Sequence, residues 1–213
     1  MRNYYYMMGN NSVGFPPDLL PYLVAGYHLD GNANDWVGVN NGIATNITYA
    51  PAKVNDGAVF NGTTSVITIP NNISGSYSYA FFINPSSIGV QNNYGVLGSA
   101  GNGLSGLYFR ANGGSSYGNI EYYLFGDYIF PTAIYKDMLS FCVVTFDGGT
   151  SKLNLFVNGI KDTVEYTGSY SNPITYLGND IYGEALNGIL DEITFFNTSL
   201  NQTQVDTLYN FYN

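Results

Sequence analysis

The amino-acid sequence predicts an all-β fold: two antiparallel sheets stacked face to face, with one short helix at the C-terminus. Three observations carry that expectation. From Pro21 onward, short apolar or alternating runs are separated by clusters of Gly, Asn, Asp and Pro, the pattern of strands joined by tight turns. Two turn signatures, Asp147-Gly148-Gly149-Thr150 and Asn158-Gly159, sit between strong runs and predict a three-stranded meander. The runs also outnumber what one open twisted sheet tolerates, so a second layer is needed to bury them. The chain has 213 residues, 45 % of them apolar, and a chain of this size buries roughly 70 % of its unfolded surface in one core.

Taken in order, residues 1–20 stand apart from a domain at 21–213. Tyr4-Tyr5-Tyr6-Met7-Met8, Gly9-Asn10-Asn11-Ser12 and Phe15-Pro16-Pro17 follow neither the helical nor the strand period. They read as an N-terminal arm, either disordered or a docking segment rich in tyrosine. Strands are expected over 22–29, 42–48, 57–60, 65–69, 76–83, 95–98 and 107–111. They continue over 120–125, 139–146, 152–157, 161–166, 174–177 and 189–196. Alternation is clearest at Leu153, Leu155 and Val157, which period two sends to one face. At the C-terminus, Asn201 is placed to cap a helix with Gln204 at its third position, and Val205, Leu208, Tyr209 and Tyr212 follow at helical spacing.

Charge and cysteine content narrow the partners. Six basic residues against fifteen acidic ones give a net charge of −9, so counterion release from phosphates cannot drive binding and nucleic acid is excluded as a partner. The single cysteine, Cys142, lies in an apolar run and reads as a small core hydrophobe. The N-terminus lacks the continuous apolar run and cleavage site of a signal peptide. No window approaches the ~20 apolar residues of a membrane span. The expectation is therefore synthesis in a host cytoplasm and no membrane partner.

Several segments are familiar as a set. Leu23-Val24-Ala25-Gly26-Tyr27-His28-Leu29-Asp30-Gly31-Asn32-Ala33-Asn34-Asp35 precedes Gly38, Asn41-Gly42 and then Gly57-Ala58-Val59-Phe60-Asn61-Gly62. Leu153-Asn154-Leu155-Phe156-Val157-Asn158-Gly159 follows, and Asn187-Gly188-Ile189-Leu190-Asp191-Glu192-Ile193-Thr194-Phe195-Phe196 leads into the helix. In order and spacing, over residues 22–210, these resemble the laminin-G-like domains of the concanavalin A-like lectin/glucanase superfamily. The resemblance implies a jelly roll whose first and last strands pair. It also implies one structural calcium, held by Asp191 with a backbone carbonyl near Gly62, since calcium takes hard oxygen ligands. The alternative for Asp191 is that it accepts backbone N–H bonds or caps a turn. Asp30 and Asp35 are further ligand candidates or, equally, turn formers.

The hydrolases of this fold carry an E-x-D-x-x-E pattern that sets two carboxyls about 5 Å apart, and the sequence has none. Its nearest acidic neighbours, Asp191-Glu192, are sent to opposite faces by period two. The lone His28 reads as a packed or hydrogen-bonded strand residue, not a base. Gly101-Asn102-Gly103-Leu104-Ser105-Gly106 fits G-x-G-x-x-G but runs into a strand, where no helix N-terminus cradles a phosphate. The sequence therefore predicts no catalytic residues.

Recognition is left to exposed aromatics, because sugar rings stack on tyrosine while Asn, Asp and Arg bond their hydroxyls. If Leu107, Phe109 and Ala111 point inward, Tyr108, Arg110 and Asn112 point outward, and Tyr123 and Glu121 do the same on the next run. Tyr117 sits in the Gly-rich connection between the two, so the candidate ligand-binding set is Tyr108, Arg110, Asn112, Tyr117 and Tyr123. The alternative is a cross-strand Arg110–Glu121 ion pair on a solvated face. Taken together, the sequence predicts a non-catalytic binding or adhesion module. It would serve as a phage or virus surface component (head fibre, tail fibre or capsid decoration protein), with a surface glycan or other virion proteins as partners. The alternative is the carbohydrate-binding domain of a bacterial surface or secreted protein. A homo-oligomer is compatible with a fibre, although no heptad precedes the sandwich to enforce one.

Overall fold

The computed structural model describes residues 14–70, 73–86, 93–99, 105–111, 115–124, 127–168, 174–180 and 182–213. The strands are β1 (Leu23–Tyr27), β2 (Ile43–Thr45), β3 (Thr48–Pro51), β4 (Asp56–Asn61), β5 (Val66–Thr68), β6 (Tyr77–Pro85), β7 (Asn93–Gly98) and β8 (Ser105–Ala111). They continue as β9 (Tyr117–Leu124), β10 (Asp127–Tyr135), β11 (Ser140–Asp147), β12 (Lys152–Val157), β13 (Ile160–Lys161), β14 (Tyr166–Thr167), β15 (Tyr176–Leu177) and β16 (Asn187–Phe196), before helix α1 (Gln202–Tyr212).

The strands form two sheets. A nine-stranded sheet runs β13-β12-β11-β6-β16-β4-β3, with β1 also pairing β16 and β14 pairing β12. A seven-stranded sheet runs β10-β9-β8-β7-β15-β5-β2. The first and last strands pair antiparallel, Leu23 opposite Phe196 and Tyr27 opposite Ile193, as the laminin-G-like resemblance implies. The meander β11-β12-β13 also forms. Its second turn is made by Asn158 and Gly159 at φ 51° and 82°, the left-handed pair that a two-residue hairpin requires.

Two apolar layers hold the sheets. Between them lie Phe60, Tyr79, Phe81, Phe109, Tyr122 and Phe195, all buried, together with Cys142. On the outer face of the nine-stranded sheet a second layer gathers Phe82, Phe141, Phe196, Val205, Leu208 and Tyr212. The central strand β6 is therefore buried along almost its whole length, unlike a strand with one wet face. Helix α1 closes this second layer. Its Asn201 side chain accepts from Gln204 N at 3.0 Å, and the Gln204 side chain accepts from Asn201 N at 3.0 Å, the reciprocal cap expected from the sequence.

Four features depart from the sequence expectation. Phe15 and Leu19 belong to the second apolar layer, with the Phe15 ring 5.4 Å from Trp36 and 5.6 Å from Phe211, so the packed body begins before residue 21. The rest of the expected arm, 1–13, lies outside the described residues. Strand β10 is absent from the expected set because Pro131 interrupts its run. The proline is tolerated because β10 is an edge strand and its pairing with β9 shifts register between Ile129 and Ala133. The expected strand at 161–166 is instead two short pieces, β13 and β14, each pairing β12. Finally, period two fails at Asp191-Glu192. Glu192 adopts φ 50° and the β16 register shifts between Asp191 and Thr194, a bulge that inserts one extra residue. Leu190 and Ile193 both enter the inter-sheet core, so Asp191 and Glu192 share the outer face.

Candidate functional site

The outer face of the seven-stranded sheet is built by β8, β9 and β10. Leu107, Phe109, Ile120 and Tyr122 enter the inter-sheet core, so their neighbours point outward, as alternation requires. The register stacks these outward positions in rows. Tyr117 faces Tyr135; Arg110, Asn119 and Ala133 form the next row; Tyr108, Glu121 and Ile129 the next; and Gly106, Tyr123 and Asp127 the last. Tyr108, Arg110, Tyr117 and Tyr123 thus share one face. Asn112 lies outside the described residues.

Sharing a face does not make these residues equally accessible. Tyr117 and Tyr135 are 38 % and 49 % exposed, and their ring centroids lie 6.0 Å apart. Arg110 is one-third exposed and its Nη1 donates to Glu121 Oε2 and to Asp127 Oδ2, each at 3.2 Å. The cross-strand Arg110–Glu121 ion pair therefore forms, with Asp127 as a second acceptor, and it is solvated at its Arg110 and Asp127 ends but not at Glu121. Glu121 is buried, and its Oε1 has no hydrogen-bond partner among the described residues. Burial pushes the Glu121 carboxyl above the usual carboxylate range, against the opposing pull of Arg110.

Tyr108 is buried too, which corrects its expected role as an open stacking surface. Residues 178–180 and 182–186 lie over it, and Asp180 Oδ2 accepts its hydroxyl at 3.0 Å. That segment adheres to β7: Gly95 N donates to Glu184 O at 2.6 Å, and a side chain at Gly95 would lie 2.8 Å from the Asn179 backbone. Asp180 Oδ1 in turn accepts from Tyr182 N and Glu184 N at 2.9 and 2.8 Å. Tyr182 is left 64 % exposed at the tip. Tyr123 is half-buried, with its ring edge-on to Tyr108 at 6.4 Å. Sequence reasoning missed Tyr135 and Asp127 because it missed β10. Nothing local to 178–186 announces that it folds back over Tyr108.

The expected calcium pair does not converge. Gly62 follows Asn61, which pairs with Asn187 at one end of β16, whereas Asp191 lies four residues along, roughly 13 Å away at strand rise. Asp191 Oδ2 instead accepts Lys53 N at 2.8 Å and Val54 N at 3.0 Å, the backbone-acceptor alternative. Two N–H donors aimed at that oxygen repel a cation, so Asp191 with Gly62 does not fit calcium. Among the described residues, no group of three or more His, Cys, Asp or Glu side chains is placed to hold a metal ion. Asp30 and Asp35 organise loops. Asp30 accepts from Asn55 Nδ2 and Asp56 N, and Asp35 accepts from Gly26, Val37 and Asn40 N.

The bulge at Glu192 makes a second acidic pair that the sequence pattern concealed. Glu192 accepts from Tyr212 Oη at 3.1 Å and bonds His28 Nδ1 at 2.9 and 3.0 Å, while His28 stacks on Trp36 at 5.1 Å. Burial and the adjacent Glu192 push the Asp191 carboxyl up to about 8. Burial opposes charging His28, but the Glu192 bond together with Asp30 and Asp191 outweighs it and raises the imidazole. Asp191 and Glu192 are 0 % and 2 % exposed, so no substrate reaches either carboxyl.

The comparisons with known proteins agree with this architecture. The laminin-G pattern of the concanavalin A-like lectin/glucanases superfamily matches residues 60–206, more than half of the chain. The chain belongs to that family. No curated protein matches it in sequence. Domain 4 of AbnA, an extracellular arabinanase from Geobacillus stearothermophilus solved with arabinotriose, aligns with a TM-score of 0.72 and 20 % identity, over 88 % of this chain and 98 % of that one. Trypanosoma rangeli sialidase aligns with a TM-score of 0.68 and 15 % identity, over 89 % of this chain but 32 % of its own. Botulinum neurotoxin type C, described as entering cells through two ganglioside molecules, aligns with a TM-score of 0.66 and 12 % identity, over 92 % of this chain and 52 % of its own. The family member thus spans about a third to a half of the sialidase and toxin chains. At these identities the likeness is one of fold.

Proposed function

We propose that this laminin-G-like domain is a non-catalytic carbohydrate-binding module whose ligand lies on the outer face of the seven-stranded sheet. The observation that carries the reading is the exposed Tyr117–Tyr135 pair standing on the same face as the Arg110–Glu121–Asp127 cluster. Tyrosine rings offer an apolar surface to a sugar ring, and the cluster beside them offers fixed donors and acceptors to its hydroxyls. Domains of the same fold solved with arabinotriose or tied to gangliosides support the same class of ligand. Hydrolysis is disfavoured by the acidic pairs described: Asp191 and Glu192 are buried, and Glu121 and Asp127 are both held by Arg110.

In this reading the domain is displayed on a surface, that of a virus particle or of a bacterial cell. The sequence of the N-terminal segment, with three consecutive tyrosines followed by two adjacent methionines, supports a docking role there, since such residues are enriched at protein interfaces. The test of the central claim is a glycan array probed with the full chain and with a Tyr117→Ala/Tyr135→Ala variant. Binding by the parent that the double variant loses at unchanged melting temperature supports the site. An array that stays silent for the parent refutes the carbohydrate reading.

A further inference from the structure

We propose that this face accepts uncharged sugars and turns away acidic ones, a refinement that rests on the carbohydrate reading above. Arg110 is the cation of the face, and in an open site its guanidinium would clamp a sugar carboxylate. Here it is already engaged: Nη1 sits 3.2 Å from both Glu121 Oε2 and Asp127 Oδ2. Two further carboxyls border the face, Asp180 behind the Tyr108 hydroxyl and Glu184 in the covering segment. Two carboxyls thus hold the one guanidinium and two more flank Tyr108 beside it. At the tyrosine end, Lys136 and Asp137 follow Tyr135 in the turn and offset each other. The chain as a whole, at −9, adds a field of the same sign.

Glu121 is 1 % exposed, so a sugar on this face meets the partly exposed Arg110 and Asp127 side chains and not the Glu121 carboxyl. A sugar hydroxyl bonds either of these without adding charge, whereas a sugar carboxylate brings a like charge beside Asp127. Within the carbohydrate class, the sheet therefore favours neutral sugars over acidic ones.

The test compares matched sugars that differ by one acidic residue, lactose against sialyllactose and xylotriose against its glucuronic-acid-bearing form, titrated into the full chain by calorimetry. The neutral member should bind about tenfold or more tightly than its acidic partner at low ionic strength, with the ratio shrinking as salt screens the face. Asp127→Asn changes a half-exposed side chain, so the fold persists. It should narrow the ratio by roughly threefold, and adding Glu121→Gln should narrow it further. An acidic partner that binds as well as or better than the neutral one, or a ratio that neither salt nor Asp127→Asn moves, overturns the proposal while leaving carbohydrate binding intact. If no sugar of either kind binds, the carbohydrate reading itself falls, and this proposal with it.

Discussion

Replacing Asp191 by Asn should make the protein more stable at alkaline pH and leave it nearly unchanged in acid. The carboxyl is fully buried, with one oxygen accepting two backbone N–H groups and the other unpartnered among the described residues. An amide keeps the accepting oxygen and removes the charge. In the native protein the carboxyl titrates at about 8 against an ordinary value of 3.8, so the native state holds the proton more tightly than the unfolded chain. The stabilisation is full below the unfolded value and is lost as pH rises through the native one. A shift of roughly 4 units at about 1.4 kcal/mol each sets an upper bound near 6 kcal/mol, and local relaxation and water entry reduce the measurable part to about 2–3 kcal/mol. His28, whose pKa is also raised, acts in the same direction, and most of its contribution cancels in the difference between the two proteins. The assay is urea denaturation from pH 4 to 9, followed by the fluorescence of Trp36, the single tryptophan. The Asp191→Asn midpoint should exceed that of the parent by about 1 M at pH 9 and converge with it near pH 4. A difference that stays flat across this range would refute the claim that the bulge stores a buried, proton-holding carboxyl.

Other consequences follow from particular contacts. Gly98→Ala places a methyl 2.9 Å from Asp180 Cα and closer still to the Asn179 carbonyl. It should lift the 178–186 segment, cost about 2 kcal/mol and raise hydrogen exchange at Gly95 and Glu184. Asn201→Ala removes the side-chain acceptor for Gln204 N and keeps the backbone N–H that Gln204 accepts; it should cost about 1 kcal/mol, read as a lower melting temperature without change in sugar binding. Phe60→Ala empties a fully buried site against which Gly178 packs, and should cost about 3–5 kcal/mol by chemical denaturation.

Local chemistry makes several elements legible in the sequence alone. The Asn201–Gln204 cap and the Asn158-Gly159 turn involve residues within four positions of one another. Their side chains dictate their backbone whatever else the chain does. Alternation places Tyr108, Arg110 and Tyr123 on one face for the same reason, because the strand period depends only on the backbone; Tyr117, read as part of a Gly-rich connection, joins that face because β9 starts there. The laminin-G-like pattern read from Leu23–Asp35, Leu153–Gly159 and Asn187–Phe196 likewise matches the family to which the chain belongs.

Accessibility is a different matter. Tyr108 is hidden by Asp180, 72 positions away, and His28 meets Glu192 across 164. Both contacts require the sheets to be assembled first, and no spacing rule spans such distances. The bulge at Glu192 belongs to the same class. A residue held at φ 50° is strained in isolation and persists because β1, β6 and α1 are packed around it. What the sequence determined alone was which side of each strand a residue occupies and where the chain turns, since both are set within a few bonds. What the tertiary structure decided was which of those sides meets water and which carboxyls keep a proton, since burial is a property of the assembled whole.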